Sequence, residues 1–131
     1  MNVKQLKDMR WYHLTLEPGA IIHRELKTFF EEEGLEHALI LSCVGSCSKV
    51  VVAYPKTNRH PPELGKIESE GLYEINTIGG DIRRDASGVR VHLHGSFTKE
   101  GEKLIGGAIH EGTTTFLTAE FVIVGTASTA Y

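Results

Sequence analysis

Histidines are the residues of this sequence whose spacing most directly suggests chemistry. Three of the seven lie in the segment 91–112. Successive side chains of a β-strand point to opposite faces, so His92 and His94 share one face while Val91 and Leu93 share the other. Valine and leucine are typical of a core, so the two histidines are predicted to line the opposite surface of the strand.

A hairpin is predicted to bring a third histidine to this pair. The polar run after the first strand ends at Gly101, which can adopt a positive φ in a turn. The returning strand, residues 103–110, would run antiparallel and bring His110 toward His92 and His94. Three imidazole ligands suit zinc and leave one coordination position open. The alternative is a solvated strand face on which the histidines bind nothing.

Two carboxylates are candidates for acid or base chemistry beside such a metal. Glu74 and Glu111 could serve if they lie within hydrogen-bond reach of a bound substrate. The competing interpretation is that Glu74 is a structural carboxylate, bound to backbone or to a basic side chain, and that Glu111 is simply exposed. The sequence contains no recognisable Ser-His-Asp arrangement, phosphate-binding glycine loop or helical metal motif.

Length and composition predict one globular domain. The chain has 131 residues, a formal net charge of −3, 40% apolar residues and 24% charged residues. A single domain over residues 1–131 is expected, with frayed ends at about 1–8 and 126–131. The negative charge argues against a broad phosphate-binding surface.

Cys43 and Cys47 have no second pair to complete a zinc knuckle and are interpreted as reduced thiols.

Targeting signals are not apparent in the sequence. The amino terminus is polar, and no apolar run approaches the length of a membrane span. We therefore expect no signal peptide, no membrane partner and a cytoplasmic location.

Periodicity predicts one helix and about six or seven strands. Apolar residues recur at helical spacing over residues 21–33, and Gly34 supplies a left-handed stop. His23 and His37 flank this helix and are interpreted as surface histidines. Besides the two strands of the histidine hairpin, strands are predicted at 11–16, 38–44, 49–54, 72–78 and 114–124.

Short connections decide the fold class. Turns are predicted at 45–48 and 85–88, a bend or bulge at Gly79-Gly80, and an irregular loop at 55–65. Most of these are too short for a parallel crossover. The fold class is therefore α+β, with a curved, mainly antiparallel sheet packed against one main helix.

Several segments together resemble the plant-and-prokaryote conserved (PPC) domain family. They are Leu16-Glu17-Pro18-Gly19, Leu41-Ser42-Cys43-Val44-Gly45-Ser46, Gly71-Leu72-Tyr73-Glu74-Ile75, His92-Leu93-His94, Gly106-Gly107 and Thr118-Ala119-Glu120. The resemblance implies an antiparallel sheet with a packed helix, assembled as a homotrimer. It also implies a histidine-bound metal in bacterial members. The fold is similar to that of α-acetolactate decarboxylase, a zinc enzyme with a His-x-His pair and a later histidine.

Two departures from the family pattern bear on function. The family places a histidine directly after Gly-Gly, where this chain has Ala108. His110 follows on the same face, about 6 to 7 Å further along a regular strand. The resemblance therefore carries over His92 and His94, and His110 is inferred from face and spacing. Plant members join this domain to AT-hook DNA-binding segments and carry an arginine where this chain has Leu72; no Arg-Gly-Arg-Pro hook occurs here.

Two functions are compatible with these features. The first is a trimeric binding or regulatory module, associated with DNA through the family, with zinc held by the three histidines. The second is a small zinc-dependent hydrolase or lyase, in which the open metal position activates water or polarises a carbonyl. A concave pocket with the metal at its base, and beside it a carboxylate whose pKa is shifted, would favour the enzyme. A basic stripe of Arg83, Arg84 and Arg90 would favour DNA.

Overall fold

The computed structural model describes residues 1–129, which form one helix and six strands of a single sheet. In chain order the elements are β1 (Arg10–Leu16), α1 (Ile22–Glu32), β2 (His37–Pro55), β3 (Leu64–Asp85), β4 (Gly88–Lys99), β5 (Lys103–Ile109) and β6 (Thr114–Thr126). The pairings between these strands are antiparallel. The predicted α+β fold class, with one helix on a mainly antiparallel sheet, is confirmed.

The sheet curls until two of its strands meet a second time. The strand order is β1-β6-β2-β3-β4-β5, and β2 also pairs with β5 at Val52–Ile109 and Ala53–Ala108. This is feasible because β2 is 19 residues long: its first part pairs with β6 and its last part with β5. Strands β2 to β5 therefore close into a ring, with the histidine-bearing β4 across the ring from β2.

The core lies between the sheet and α1. Ile22, Leu26 and Phe30 follow one another at intervals of four residues and are fully buried, so α1 presents one apolar stripe to the sheet. Tyr12 of β1 meets Phe29 edge to face, with ring centroids 4.9 Å apart. Gly34, with φ of +63°, follows the helix as predicted. Among residues 1–129, α1 covers one face of the sheet, and apolar side chains on the outer face of β1, β6 and β2 are exposed.

The predicted turn at residues 45–48 is wrong, because these residues continue β2. Gly45 does adopt a positive φ of +146°, but it does so inside the strand. The β6 backbone passes so close that a Cβ at this position would collide with the Thr118 carbonyl oxygen. A register shift between Cys47 and Lys49 adds a local irregularity. The small residues here thus allow a close strand contact rather than a reversal of the chain.

Strand β3 is longer than predicted. It begins at Leu64 rather than at residue 72 and runs through Gly79-Gly80 to Asp85. Gly80 has a φ of +142°, and a Cβ there would collide with the His92 carbonyl oxygen on β4. This glycine therefore permits the close β3–β4 approach that carries the histidine strand.

The last strand, β6, extends into the segment 126–131 that was predicted to fray. Thr126 is the last residue of β6, is buried, and donates a hydrogen bond from its hydroxyl to the Lys7 carbonyl oxygen at 2.6 Å. Residues 130 and 131, the end of the segment predicted to fray, lie outside the described residues.

The 11-residue α1 is too short to cross a membrane, and residues 1–129 contain no longer helix.

Candidate metal and ligand site

The β4–β5 pairing places the predicted histidine strands side by side. His94 lies opposite Ala108, and the register is regular from there to the hairpin turn. The β4–β5 pairing ends at this pair, and His110 lies two residues further on, one residue past the end of β5; continuing the same register would bring it level with His92. Directly opposed side chains of an antiparallel pair have Cβ atoms about 4.5–5.5 Å apart. Moving the third histidine from 108 to 110 therefore takes it out of the position opposite His94 and past the last β4–β5 pair, toward His92.

All three histidines are exposed on the outer side of the hairpin, with Leu93 and Ile109 buried beneath it. The rings of His92 and His94 meet edge to face, with centroids 5.1 Å apart and an interplanar angle of 82°. One cavity of about 250 Å³ is bordered by His92 and His110, and another of about 390 Å³ by His94 and His110. The backbone N–H of His110 donates to the Val51 carbonyl oxygen at 2.8 Å. His110 therefore separates two cavities that each contain one member of the pair.

The three imidazoles suit zinc chemically, but they are not gathered around one point. Within residues 1–129, no three His, Cys, Asp or Glu side chains are grouped so that they could hold a metal ion. Imidazole is a common zinc ligand, and a set of three leaves an open position. Zinc binding by His92, His94 and His110 stays a prediction, and it requires these exposed side chains to rotate toward one ion.

Asp81 connects the histidine strand to the neighbouring strand β3. It is the cross-strand partner of His92, and only 15% of its side chain is exposed. Its Oδ2 accepts a hydrogen bond from His37 Nε2 at 2.9 Å and pairs with Arg83 Nε at 3.1 Å. Its Oδ1 lies 3.9 Å from His92 Nδ1, which leaves the Nε2 atom of that ring for another partner. The interpretation of His37 as a surface histidine is wrong, since it is half-buried and bound to Asp81.

The two candidate carboxylates lie in different places. Glu111 borders the cavity that contains His92 and His110. Glu74 is exposed on β3, opposite Thr98 of β4, and borders neither histidine cavity. The structure therefore brings Glu111, and not Glu74, to the histidines.

His23 also belongs to this site, although the sequence did not indicate it. It lies in the first turn of α1 and borders the cavity that contains His92 and His110. Its Nδ1 is buried and has no hydrogen-bond partner within residues 1–129. Burial lowers the pKa of His23; the Glu111 carboxylate opposes this effect and His110 adds to it. Its interpretation as a surface histidine is therefore wrong.

The basic stripe is largely neutralised within the chain. Arg83 pairs with Asp81, as described above. Arg84 pairs through its Nε with Glu36 at 3.5 Å and stacks over the Phe30 ring, with its guanidinium carbon 5.6 Å from the ring centroid. Arg90 borders the cavity that contains His92. Two of the three arginines are thus committed to intramolecular contacts.

The cysteines lie in the core. Cys43 and Cys47 are free and buried. Burial raises the pKa of each thiol to about 12, and for Cys43 the neighbouring Cys47 contributes as well. Both side chains are therefore protonated at neutral pH and pack as small apolar groups.

A curled antiparallel sheet over one helix, with exposed histidines on a hairpin, defines a small α+β domain. The family model of the Plants and Prokaryotes Conserved (PCC) domain matches residues 3–127, so the chain belongs to this family, the PPC family named above. A PPC protein from Pyrococcus horikoshii is 22% identical, with a TM-score of 0.82 over 98% of this chain and 87% of that one. A metal-containing protein from Archaeoglobus fulgidus is 25% identical, with a TM-score of 0.82 over 96% and 86%.

Further similarities extend the comparison. The predicted similarity in fold to acetolactate decarboxylase is confirmed: the Bacillus subtilis enzyme has a TM-score of 0.61 and 16% identity over 87% of this chain and 52% of that one. A putative DNA-binding protein from Bacteroides thetaiotaomicron has a TM-score of 0.78 and 18% identity over 97% and 84%. The bifunctional protein GlmU of a Synechococcus strain is 30% identical over 115 residues, which are 88% of this chain and only 17% of that protein.

Proposed function

We propose that this protein is a trimeric regulatory or binding module that holds one zinc ion through His92, His94 and His110. The observation that supports the metal proposal is that His92, His94 and His110 are exposed on the outer side of the β4–β5 hairpin, while Leu93 and Ile109 are buried beneath it. The metal-containing relative from Archaeoglobus fulgidus supports it. Bound zinc would supply an open coordination position for a ligand.

The metal content of the purified chain tests this proposal. The protein is prepared without an affinity tag, freed of metal with a chelator, incubated with zinc and passed over a desalting column. We expect about one zinc per chain by elemental analysis, because three imidazoles form one site. Absence of zinc after incubation with excess metal would contradict the proposal.

Asp81 provides a second prediction, because metal-bound histidines usually donate their other N–H to a carboxylate. Asp81→Asn removes the negative charge facing His92 Nδ1 while keeping the size of the side chain. We expect zinc affinity to fall about 10- to 100-fold, the usual effect of losing such a partner. Competition with a chromophoric chelator measures this affinity. Glu68→Gln is the matched control, since Glu68 is exposed and pairs with Lys49 on another part of the sheet. Equal affinities in both variants would show that Asp81 does not support His92.

The trimer is proposed from the family resemblance and from the open face of the sheet. Trp11 is 71% exposed, Leu41 is 48% exposed and Val44 is 55% exposed. Trp11 lies on β1, and Leu41 and Val44 lie on β2; β6 lies between these two strands, and the three side chains are on the side of the sheet that α1 does not cover. Exposed apolar patches of this kind are typical of protein–protein contacts. The choice of a trimer over other oligomeric states is based on the family resemblance.

Val44→Asp tests this face. Val44 lies opposite Glu120 of β6, so the new carboxylate adds a like charge as well as a desolvation cost. We expect the variant to sediment as a monomer at concentrations where the unmodified protein is a trimer. Leu104→Asp is the matched control, because Leu104 is 66% exposed on β5, away from this face. Identical sedimentation of the two variants would remove the open face as the interface.

The regulatory part of the proposal concerns whether DNA is a direct partner of this protein. The relative from Bacteroides thetaiotaomicron is a putative DNA-binding protein. In this chain Arg83 and Arg84 already have acidic partners, which supports ligand-dependent regulation over direct contact with DNA through the arginine stripe. The proposal includes a cytoplasmic location, which the two protonated, unpaired cysteines support.

A small zinc-dependent enzyme is the second candidate function. The observation that favours it is Glu111, whose carboxylate borders the same cavity as His92 and His110. A carboxylate in that position could exchange a proton with a ligand at an open zinc position. Turnover of ester or hydroxy-keto-acid substrates by the zinc-loaded protein, lost in Glu111→Gln, would favour the enzyme over the binding module.

A further inference from the structure

The smaller histidine cavity has polar groups of both charges around it, and we call it the α1–β4 cavity. It measures about 250 Å³ and lies between the first turn of α1, strand β4 and the segment after β5. Its charged and titratable borders are His23, Arg90, His92, His110 and Glu111. We propose that this cavity binds a small monocarboxylate that carries a hydroxyl or amino donor on its α-carbon.

Arg90 is the group that would hold the carboxylate. It lies two residues before His92 on β4, so the two side chains share a strand face. Unlike the side chains of Arg83 and Arg84, the Arg90 side chain forms no ion pair or hydrogen bond within residues 1–129. Hydrogen bonds from Ser87 lower the pKa of Asp85, and the charge of Arg90 adds to this effect. A guanidinium without a partner can donate two parallel hydrogen bonds to one carboxylate.

His23 would add a neutral hydrogen-bond donor from the helix side. Its Nδ1 is buried without a partner. A buried N–H without an acceptor is rarer in proteins than an incompletely satisfied acceptor, so the favoured tautomer keeps its proton on Nε2. The Nε2–H is then the group available to the cavity, which His23 borders. An acceptor such as a carboxylate oxygen is its complement.

Glu111 restricts the proposed ligand to a single negative charge. It is also the reason for proposing a hydrogen-bond donor on the α-carbon of that ligand. Its carboxylate borders the same space as Arg90 and would repel a dianion. A hydroxyl or ammonium group beside the ligand carboxylate would instead donate to Glu111. The inference rests on the proposed function only in that His92 and His110 border this cavity and are also proposed zinc ligands. The roles of Arg90, His23 and Glu111 do not depend on a metal.

Calorimetric titration with glycolate and glycine tests the inference on metal-free and on zinc-loaded full-length protein. Acetate serves as the probe that lacks the donor, and inorganic phosphate as the competing anion. We expect glycolate or glycine to bind about tenfold more tightly than acetate, the effect of one hydrogen bond to a charged acceptor. Arg90→Gln should weaken this binding about 10- to 100-fold. Arg59→Gln, in the exposed loop after β2, is the matched control and should not change it.

A further variant separates this inference from the metal proposal. His94 borders the other cavity, so His94→Ala should reduce zinc content and leave glycolate binding to the metal-free protein unchanged. Loss of zinc with retained glycolate binding would support a ligand site independent of the metal. No binding of either probe in both metal states would overturn the inference, as would an unchanged affinity in Arg90→Gln. Equal affinity for acetate, or tighter binding of phosphate, would overturn the assignment of the ligand class.

Discussion

Replacement of His92 and His94 together by alanine is expected to reduce zinc from about one ion per chain to nearly none. The two residues supply two of three proposed ligands, and one remaining imidazole cannot compete with water for the ion. The measurement is elemental analysis of protein incubated with zinc and desalted. The fold should persist, because both side chains are exposed, and surface substitutions usually change the free energy of unfolding by less than about 0.5 kcal/mol.

Thermal unfolding gives a second readout of the same variant. A ligand that binds only the folded state stabilises it by about 2.7 kcal/mol when present at 100 times its Kd. We therefore expect zinc to raise the Tm of the unmodified protein by several degrees and to leave the Tm of the double variant unchanged. Protomer concentration is held constant, because assembly also shifts the Tm.

A matched double variant controls for the loss of two histidines. His13→Ala/His60→Ala removes two exposed imidazoles that border neither histidine cavity. It should bind zinc like the unmodified protein. Full zinc content in the His92→Ala/His94→Ala variant would contradict the proposed site, and equal loss in both double variants would indicate non-specific surface binding.

Of the proposed substitutions, Leu93→Ala is the one expected to destabilise the fold most. Leu93 lies between the two histidines in sequence, but its side chain points the other way and is only 1% exposed. Its backbone pairs with Gly80, where β4 passes so close that a Cβ on residue 80 would collide with the His92 carbonyl oxygen. Truncating a buried leucine costs about 2–5 kcal/mol, because apolar contacts are lost and a cavity remains. Urea unfolding should show a lower midpoint with an unchanged slope.

The control for this prediction is a leucine on the surface of the adjacent strand. Leu104→Ala removes the same atoms from a side chain that is 66% exposed on β5. Its free energy of unfolding should change by less than about 0.5 kcal/mol. If Leu93→Ala were no less stable than Leu104→Ala, the β4 strand would not be anchored through Leu93.

The sequence by itself determined the local features of this protein. Alternation around Leu93 predicted which side of β4 carries the histidines, because side-chain direction in a strand has a fixed period of two. Helical spacing of Ile22, Leu26 and Phe30 predicted α1, and Gly34 predicted its end. The family resemblance was specific because several short segments matched in order. Each of these inferences depends on residues close together in the chain.

The tertiary structure decided what the local pattern left open. Gly45 looks like a turn residue in sequence, and only the passage of β6 beside it shows that it allows strand contact. His23 carries no motif, and it joins the histidine site because α1 folds over the end of the β4–β5 hairpin. Arg83 and Arg84 look like a basic stripe until Asp81 and Glu36 are found beside them. Contacts between residues distant in sequence depend on how the sheet curls and where the helix lies, and periodicity along the chain carries no information about either.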